Sequence, residues 1–132
     1  SVVDIVACCW LFHHLRIARA YATPFLLGQG HVTCAHGDIS VPVPAVKEIL
    51  RAGAPLTRAI PYTTGELTTP TGCALVCACA DGFISRNGHP ADRVVHAAGH
   101  RTIPGLSNVL RLALYTSSPC PVSPDEVTRV NS

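Results

Sequence analysis

The chain has 132 residues, enough for one domain that buries roughly two thirds of its unfolded surface. Apolar residues make up 48% and charged residues 14%, which excludes a disordered chain. A net charge of +2, carried by one Lys (Lys47) and nine scattered Arg, excludes the clustered basic face of a nucleic-acid binder. The longest uncharged apolar run, Ile5 to Phe12, is too short to span a bilayer and nothing reads as a cleavable signal, so a soluble cytoplasmic protein with no membrane partner is expected.

There is no Met, and Ser1 to Asp4 lead directly into a hydrophobic helical pattern, which reads as a piece of a longer protein. The cysteines number seven, three of them (Cys73, Cys77, Cys79) within one predicted helix and Cys8-Cys9 within another. With no CxxC pair, this is neither a secreted disulfide framework nor a zinc knuckle, and most of the thiols read as small buried apolar groups.

Residues 2–16 are apolar almost throughout and predict a buried helix with His13, His14 and Arg16 at its wetter end. Adjacent His residues point about 100° apart on a helix and rarely share an ion. Residues 17–23 read as a strand ended by Pro24, and residues 25–30 as a turn whose Gly28 and Gly30 permit positive φ or a close ligand approach. Residues 31–36 suit a strand on which Cys34 and His36 share a face. That pair is open to three readings: joint donors to nickel or zinc, a thiolate–imidazole pair with Cys34 as nucleophile, or a buried Cys beside a surface His. A helix begins at Pro44 and carries an apolar stripe to Ala52, with Gly53 in the C′ position. A loop with Pro55 and Pro61 follows.

The central stretch is Gly65-Glu66-Leu67-Thr68-Thr69-Pro70-Thr71-Gly72-Cys73-Ala74. Thr69 suits the N-cap and Pro70 the first helical position, so a helix starts there and runs through Ala80 until Asp81-Gly82 stops it. The helix start reads either as a well-capped core helix or as an anion site built from N–H groups and the helix dipole. Downstream, residues 93–98 and 108–115 read as strands, and residues 117–125 as a Ser- and Pro-rich linker. Interleaved helices and strands place the chain in the α/β class, with α+β as the alternative: a single layered domain over 1–116, then a linker and the start of a further segment over 117–132.

Five stretches occur in register: Val3-Asp4-Ile5-Val6; Leu27-Gly28-x-Gly30; Cys34-Ala35-His36-Gly37 with Val41-Pro42-x-Pro44-Ala45; Gly65-Glu66-Leu67-x-Thr69-Pro70-Thr71-Gly72; and Pro104-Gly105-x-x-Asn108-Val109-Leu110-Arg111. The succession resembles the nickel insertion proteins (LarC family) of nickel-pincer cofactor biosynthesis, from the first residue to about Leu114. Where that family tends to read Gly-Tyr-Gly-Ala-Gly-Thr-Arg-Asp, this chain has Val95 to Thr102, keeping Gly99 and Arg101 but losing two glycines and the acidic residue.

The resemblance implies nickel insertion into pyridinium-3,5-bisthiocarboxylic acid mononucleotide, a lyase-class chelatase reaction that consumes CTP with Mg or Mn. It also implies a His-rich segment and a C-terminal CTP-associated domain beyond these residues, so little turnover is expected of this piece alone; a homo-oligomer is compatible with it. On chemical grounds Thr69, Thr71 and Gly72 would hold the substrate phosphate, with Gly28 and Gly30 allowing close approach. Cys34 and His36 would hold nickel, and Glu66 would accept the displaced ring proton. Arg101 reads as a phosphate or carboxylate partner or as a solvated turn residue. Two other functions compete: a non-enzymatic nickel-binding or assembly domain, and a thiol hydrolase using Cys34 and His36.

Overall fold

The computed structural model describes residues 2–35, 37–52, 57–85, 88–99, 102–116 and 122–128. Among them are helices α1 (Val2–His14), α2 (Pro44–Arg51) and α3 (Pro70–Cys79). The strands are β1 (Tyr21–Ala22), β2 (Phe25–Gln29), β3 (His31–Cys34), β4 (Gly37–Ser40), β5 (Thr57–Thr64), β6 (Gly82–Ile84), β7 (Arg93–Ala98), β8 (Val109–Leu114) and β9 (Val127–Thr128), with a short 3-10 helix at Pro124–Glu126. This is a mixed α/β arrangement in one small domain, as the interleaved pattern predicts.

Strands group into small sheets: β1-β6-β9, the parallel pair β2-β5, and the antiparallel hairpins β3-β4 and β7-β8. Three of these elements differ from the sequence reading. Residues 25–29, expected as a turn, form β2, because Phe25 and Leu27 turn toward the core while Leu26 faces out. The expected loop around Pro61 is β5, which pairs with β2 through Thr57, Arg58 and Ala59 and again at Thr64. Pro61 falls in the irregular stretch between those pairings, where its missing N–H breaks no ladder bond. The expected 17–23 strand shrinks to Tyr21–Ala22.

The core is Phe25, Val46, Cys73 and Phe83, ringed by Leu27, Ile49, Leu50, Val76 and Cys77. The Phe25 and Phe83 rings meet at 5.7 Å and 49°, the tilted geometry that the ring quadrupole favours. Each core residue comes from a different element (β2, α2, α3 and β6), so the core is where the two helices lie on the short strands. Asp81 fastens the end of α3 to the start of β1: its carboxylate accepts from Ala20 N (2.8 Å) and Arg19 Nη1 (3.1 Å), and its own N–H donates to the Ala20 carbonyl (2.8 Å).

Helix α1 corrects the sequence reading most. It has no buried residue, and Val2, Val3, Val6 and Trp10 are all more than half exposed. Its apolar residues run around the whole circumference, and a helix buries only the side it sets against a neighbour, here α3. β7 and β8 have the boundaries their alternation predicts to within a residue, yet every residue of β7 is exposed. Of the 117–132 stretch, residues 122–128 are described: Val122 is buried and β9 pairs with β6 through Ile84 and Phe83. No helix among the described residues is long and apolar enough to cross a membrane.

Candidate functional site

β2 and β5 run parallel, so their C-terminal ends open on the same side, the edge where parallel sheets carry their ligands. After β2 comes Gly30 (φ +91°) and after β5 comes Gly65 (φ +95°), both in the left-handed region that favours glycine. One backbone bond ties these turns together, Gly65 N–H donating to the Gln29 carbonyl (2.9 Å), and Val41 N–H, just past β4, donates to the Gly30 carbonyl (2.8 Å). Glu66 follows directly and is half-buried. Thr68 then straps the connection onto β2, its hydroxyl donating to the Leu26 carbonyl (2.7 Å).

Gly28 and Gly30 do different work. A Cβ on Gly28 would run into the Gly65 carbonyl and sit 3.3 Å from Leu67 Cγ, so the space its missing side chain leaves is filled by this chain's own backbone. Gly30 has nothing within 4 Å of the corresponding position and is open. Gly30 is therefore the glycine of the two that leaves room for a ligand.

The α3 N-terminus forms as its sequence predicts. Thr69 is extended (φ −81°, ψ 154°), and its hydroxyl accepts from Gly72 N–H at 3.2 Å. Cys73 N–H donates to the Thr69 carbonyl (2.9 Å), and Pro70 has no N–H. The first-turn donor to which no hydrogen bond runs among the described residues is Thr71 N–H, with the Thr71 hydroxyl beside it. Capping thus takes the Gly72 donor and leaves the helix start narrower as an anion site than four free N–H groups would be. A Cβ on Gly72 would lie 3.2 Å from Thr69 Oγ1, so a side chain there presses on the cap itself.

The β3-β4 hairpin extends directly from Gly30. Cys34 ends β3, is exposed, and pairs with Gly37, its thiol donating to the Gly37 carbonyl at 3.5 Å. One step inward, the Thr33 hydroxyl donates to Asp38 Oδ1 at 2.6 Å. His36 and Arg101 lie outside the described residues, and β3, the strand expected to present Cys34 and His36 on one face, ends at Cys34. Among the described residues no three His, Cys, Asp or Glu side chains group to hold a metal. The kept Gly99 extends the β7-β8 ladder one step toward its connecting loop: its N–H donates to the Asn108 carbonyl (2.9 Å), and a Cβ there would collide with the Asn108 side chain.

Hydrogen bonds lay the 65–69 connection along β2: Gly65 is bonded to Gln29, Gly28 packs against the Gly65 carbonyl and Thr68 reaches back to Leu26, while the hairpin carrying Cys34 leaves from Gly30. The sequence reading missed Gly65 and Thr68 as positioning residues. A Gly directly before an acidic residue and a Thr-rich helix start was the available signal for Gly65, whereas the Thr68 bond to β2 is a long-range contact with no local signature.

The nickel insertion protein family model matches residues 1–131. The chain belongs to this family. It is 36% identical over 118 residues to the pyridinium-3,5-bisthiocarboxylic acid mononucleotide nickel insertion protein of Clostridium kluyveri, covering 86% of this chain and 28% of that relative. It is 35% identical over 114 residues to the protein of the same name from Geobacillus kaustophilus, covering 86% and 27%. A Wolinella succinogenes relative is 37% identical over 128 residues, covering 96% of this chain and 31% of its own length. The chain thus spans between about a quarter and a third of these relatives. No solved structure matches it.

Proposed function

We propose that this chain supplies the substrate-holding core of a nickel insertion protein acting on pyridinium-3,5-bisthiocarboxylic acid mononucleotide. The observation that supports the reading is that the connection from Gly65 through Glu66 to the Thr69 cap lies along β2, bonded to it at Gln29 and Leu26, next to the open Gly30 turn. The mononucleotide phosphate would sit at Thr71, taking its N–H and hydroxyl, with open Gly30 allowing the ring to approach the backbone. Arg101 is proposed as a second phosphate partner.

Nickel is the cargo of the reaction. It is a borderline metal that accepts thiolate and imidazole donors, and the substrate itself carries two thiocarboxylate groups. A protein handing nickel to such a substrate needs only a loose hold, which exposed Cys34 with His36 would provide. Forming a carbon–nickel bond releases a ring proton, and Glu66 is the carboxylate proposed to accept it. CTP and its Mg or Mn are implied by the family resemblance, and we assign no described residue to them. A lyase-class reaction in the cytoplasm, and dependence on sequence beyond these residues, belong to the same proposal.

Calorimetric titration of Ni(II) into the chain, with and without the thiocarboxylated mononucleotide, tests the reading on wild type, Cys34→Ala and Thr71→Ala. The nucleotide is expected to tighten nickel binding at least tenfold, and either substitution to abolish the gain. Equal nickel affinity with and without nucleotide would reduce the chain to a nickel-binding scaffold.

A further inference from the structure

We infer that Lys47, set on Ser40 beside the Gly30 turn, binds a ring thiocarboxylate of the substrate, with His31 as a second donor. Resting on the substrate-holding reading above, which puts the phosphate at Thr71 and the ring at Gly30, this contact supplies a cation for the ring acid groups.

β3 leaves directly from Gly30 and pairs with β4 through His31 and Ser40, Val32 and Ile39, and Thr33 and Asp38. Directly opposed residues of an antiparallel pair share a face, and the faces alternate along the strand. His31, Ser40, Thr33 and Asp38 therefore line one polar face, while Val32 and Ile39 lie on the other with Cys34. The bond from the Thr33 hydroxyl to Asp38 Oδ1 (2.6 Å) runs along that polar face. Its first rung, His31 with Ser40, is closed beneath by Val41 N–H donating to the Gly30 carbonyl (2.8 Å). Gln29, on the other side of Gly30, accepts from Gly65 N–H (2.9 Å), so Glu66 and the His31–Ser40 rung flank the same turn.

α2 brings Lys47 back to this rung. Val46 is fully buried in the core and anchors the helix, and Lys47 N–H donates to the Val43 carbonyl (3.1 Å). The exposed Lys47 side chain then donates from Nζ to Ser40 Oγ at 3.2 Å. Other cations are already spent: Arg51 donates to both oxygens of Glu48 (2.7 and 2.8 Å), and Arg19 to Asp81 (3.1 Å). Lys47, the chain's single lysine, rests on a neutral hydroxyl, and among the described residues no carboxylate pairs with it. An ammonium has three donors, of which Ser40 takes one, and the Ser40 hydroxyl can itself donate onward. Asp38 stands on the next rung of the face, about 7 Å further out, and its charge confines an anion to the rung at Gly30. A group with a full negative charge is held there in preference to a neutral amide of the same shape.

The test titrates the whole chain, without nickel, with the thiocarboxylated mononucleotide and with nicotinamide mononucleotide, whose ring carries an uncharged carboxamide. Lys47→Gln should weaken the thiocarboxylated ligand about tenfold and leave nicotinamide mononucleotide unchanged. Lys47→Arg should retain most of the affinity, and Ser40→Ala and His31→Gln should each cost about threefold for the thiocarboxylated ligand alone. Thr71→Ala should weaken both ligands alike, because both carry the phosphate. If Lys47→Gln leaves the thiocarboxylated ligand unchanged, or weakens both ligands equally, the Lys47 contact is overturned while the phosphate site at Thr71 stands. If the thiocarboxylated ligand does not bind the wild type, or Thr71→Ala weakens neither ligand, the substrate-holding reading falls and takes the Lys47 contact with it. An unchanged circular dichroism spectrum for Lys47→Gln separates loss of the contact from loss of the fold.

Discussion

The Phe25–Val46–Cys73–Phe83 core and the β7-β8 hairpin are both built from apolar side chains and are opposite in burial. In the first, Phe25, Cys73 and Phe83 interlock, and backbone bonds bind Gly65 to Gln29 and Cys73 to Thr69. In the second, Val94, Val95, Val109, Leu110, Leu112 and Leu114 all lie more than a third open to water. A strand's side-chain alternation is a local property, whereas what its apolar face covers is not. The elements that supply this core also carry the residues proposed for the site, and close backbone approach needs an unyielding support.

The comparison is sharpest at Phe83, fully buried at the centre of the core. Phe83→Ala should cost about 4 kcal/mol in urea unfolding. The matching change in the hairpin, Val95→Thr, should stay within about 0.5 kcal/mol. If the two substitutions cost the same, the hairpin has a core role that the structure does not give it.

Gly28→Ala comes next, because its Cβ has no room against the Gly65 carbonyl; about 2 kcal/mol is expected from such overpacking. The same change at Gly88, where nothing lies within 4 Å, should be nearly silent in the same denaturation experiment.

Thr69→Ala removes the acceptor of the Gly72 N–H and should lower stability by about 1 kcal/mol. Thr69→Ser, which keeps the hydroxyl, should restore most of the loss. Failure of Ser to rescue would show that the methyl packing of Thr69, rather than its cap bond, matters at this helix start.

The gentlest effect is on pH. Cys73 ionises near 9 in its ordinary state, and burial, with Cys77 beside it, raises it to about 11 in the fold. The neutral thiol is thus the form the native state prefers. That contribution is complete below pH 9 and is lost as pH climbs from 9 toward 11. The urea midpoint should decline over that window, and Cys73→Ala should flatten the decline.

Much of this arrangement was legible in the residues. Thr69-Pro70 specified the start of α3, the alternation of residues 93–98 specified β7, and five motifs in register pointed to the family to which the chain belongs. β2 and β5 were not legible, since Gly28 and Gly30 read as a turn and Pro61 as a loop until their parallel pairing supplied each with a partner.

What the sequence determined by itself is local: caps, turns and strand periods follow from the backbone preferences of a few adjacent residues. Only the tertiary structure decided which apolar elements are covered. α1 is among the most hydrophobic stretches of the chain and yet stands exposed, while lone Phe83 is sealed. Burial depends on which surface arrives opposite, and that surface comes from residues tens of positions away.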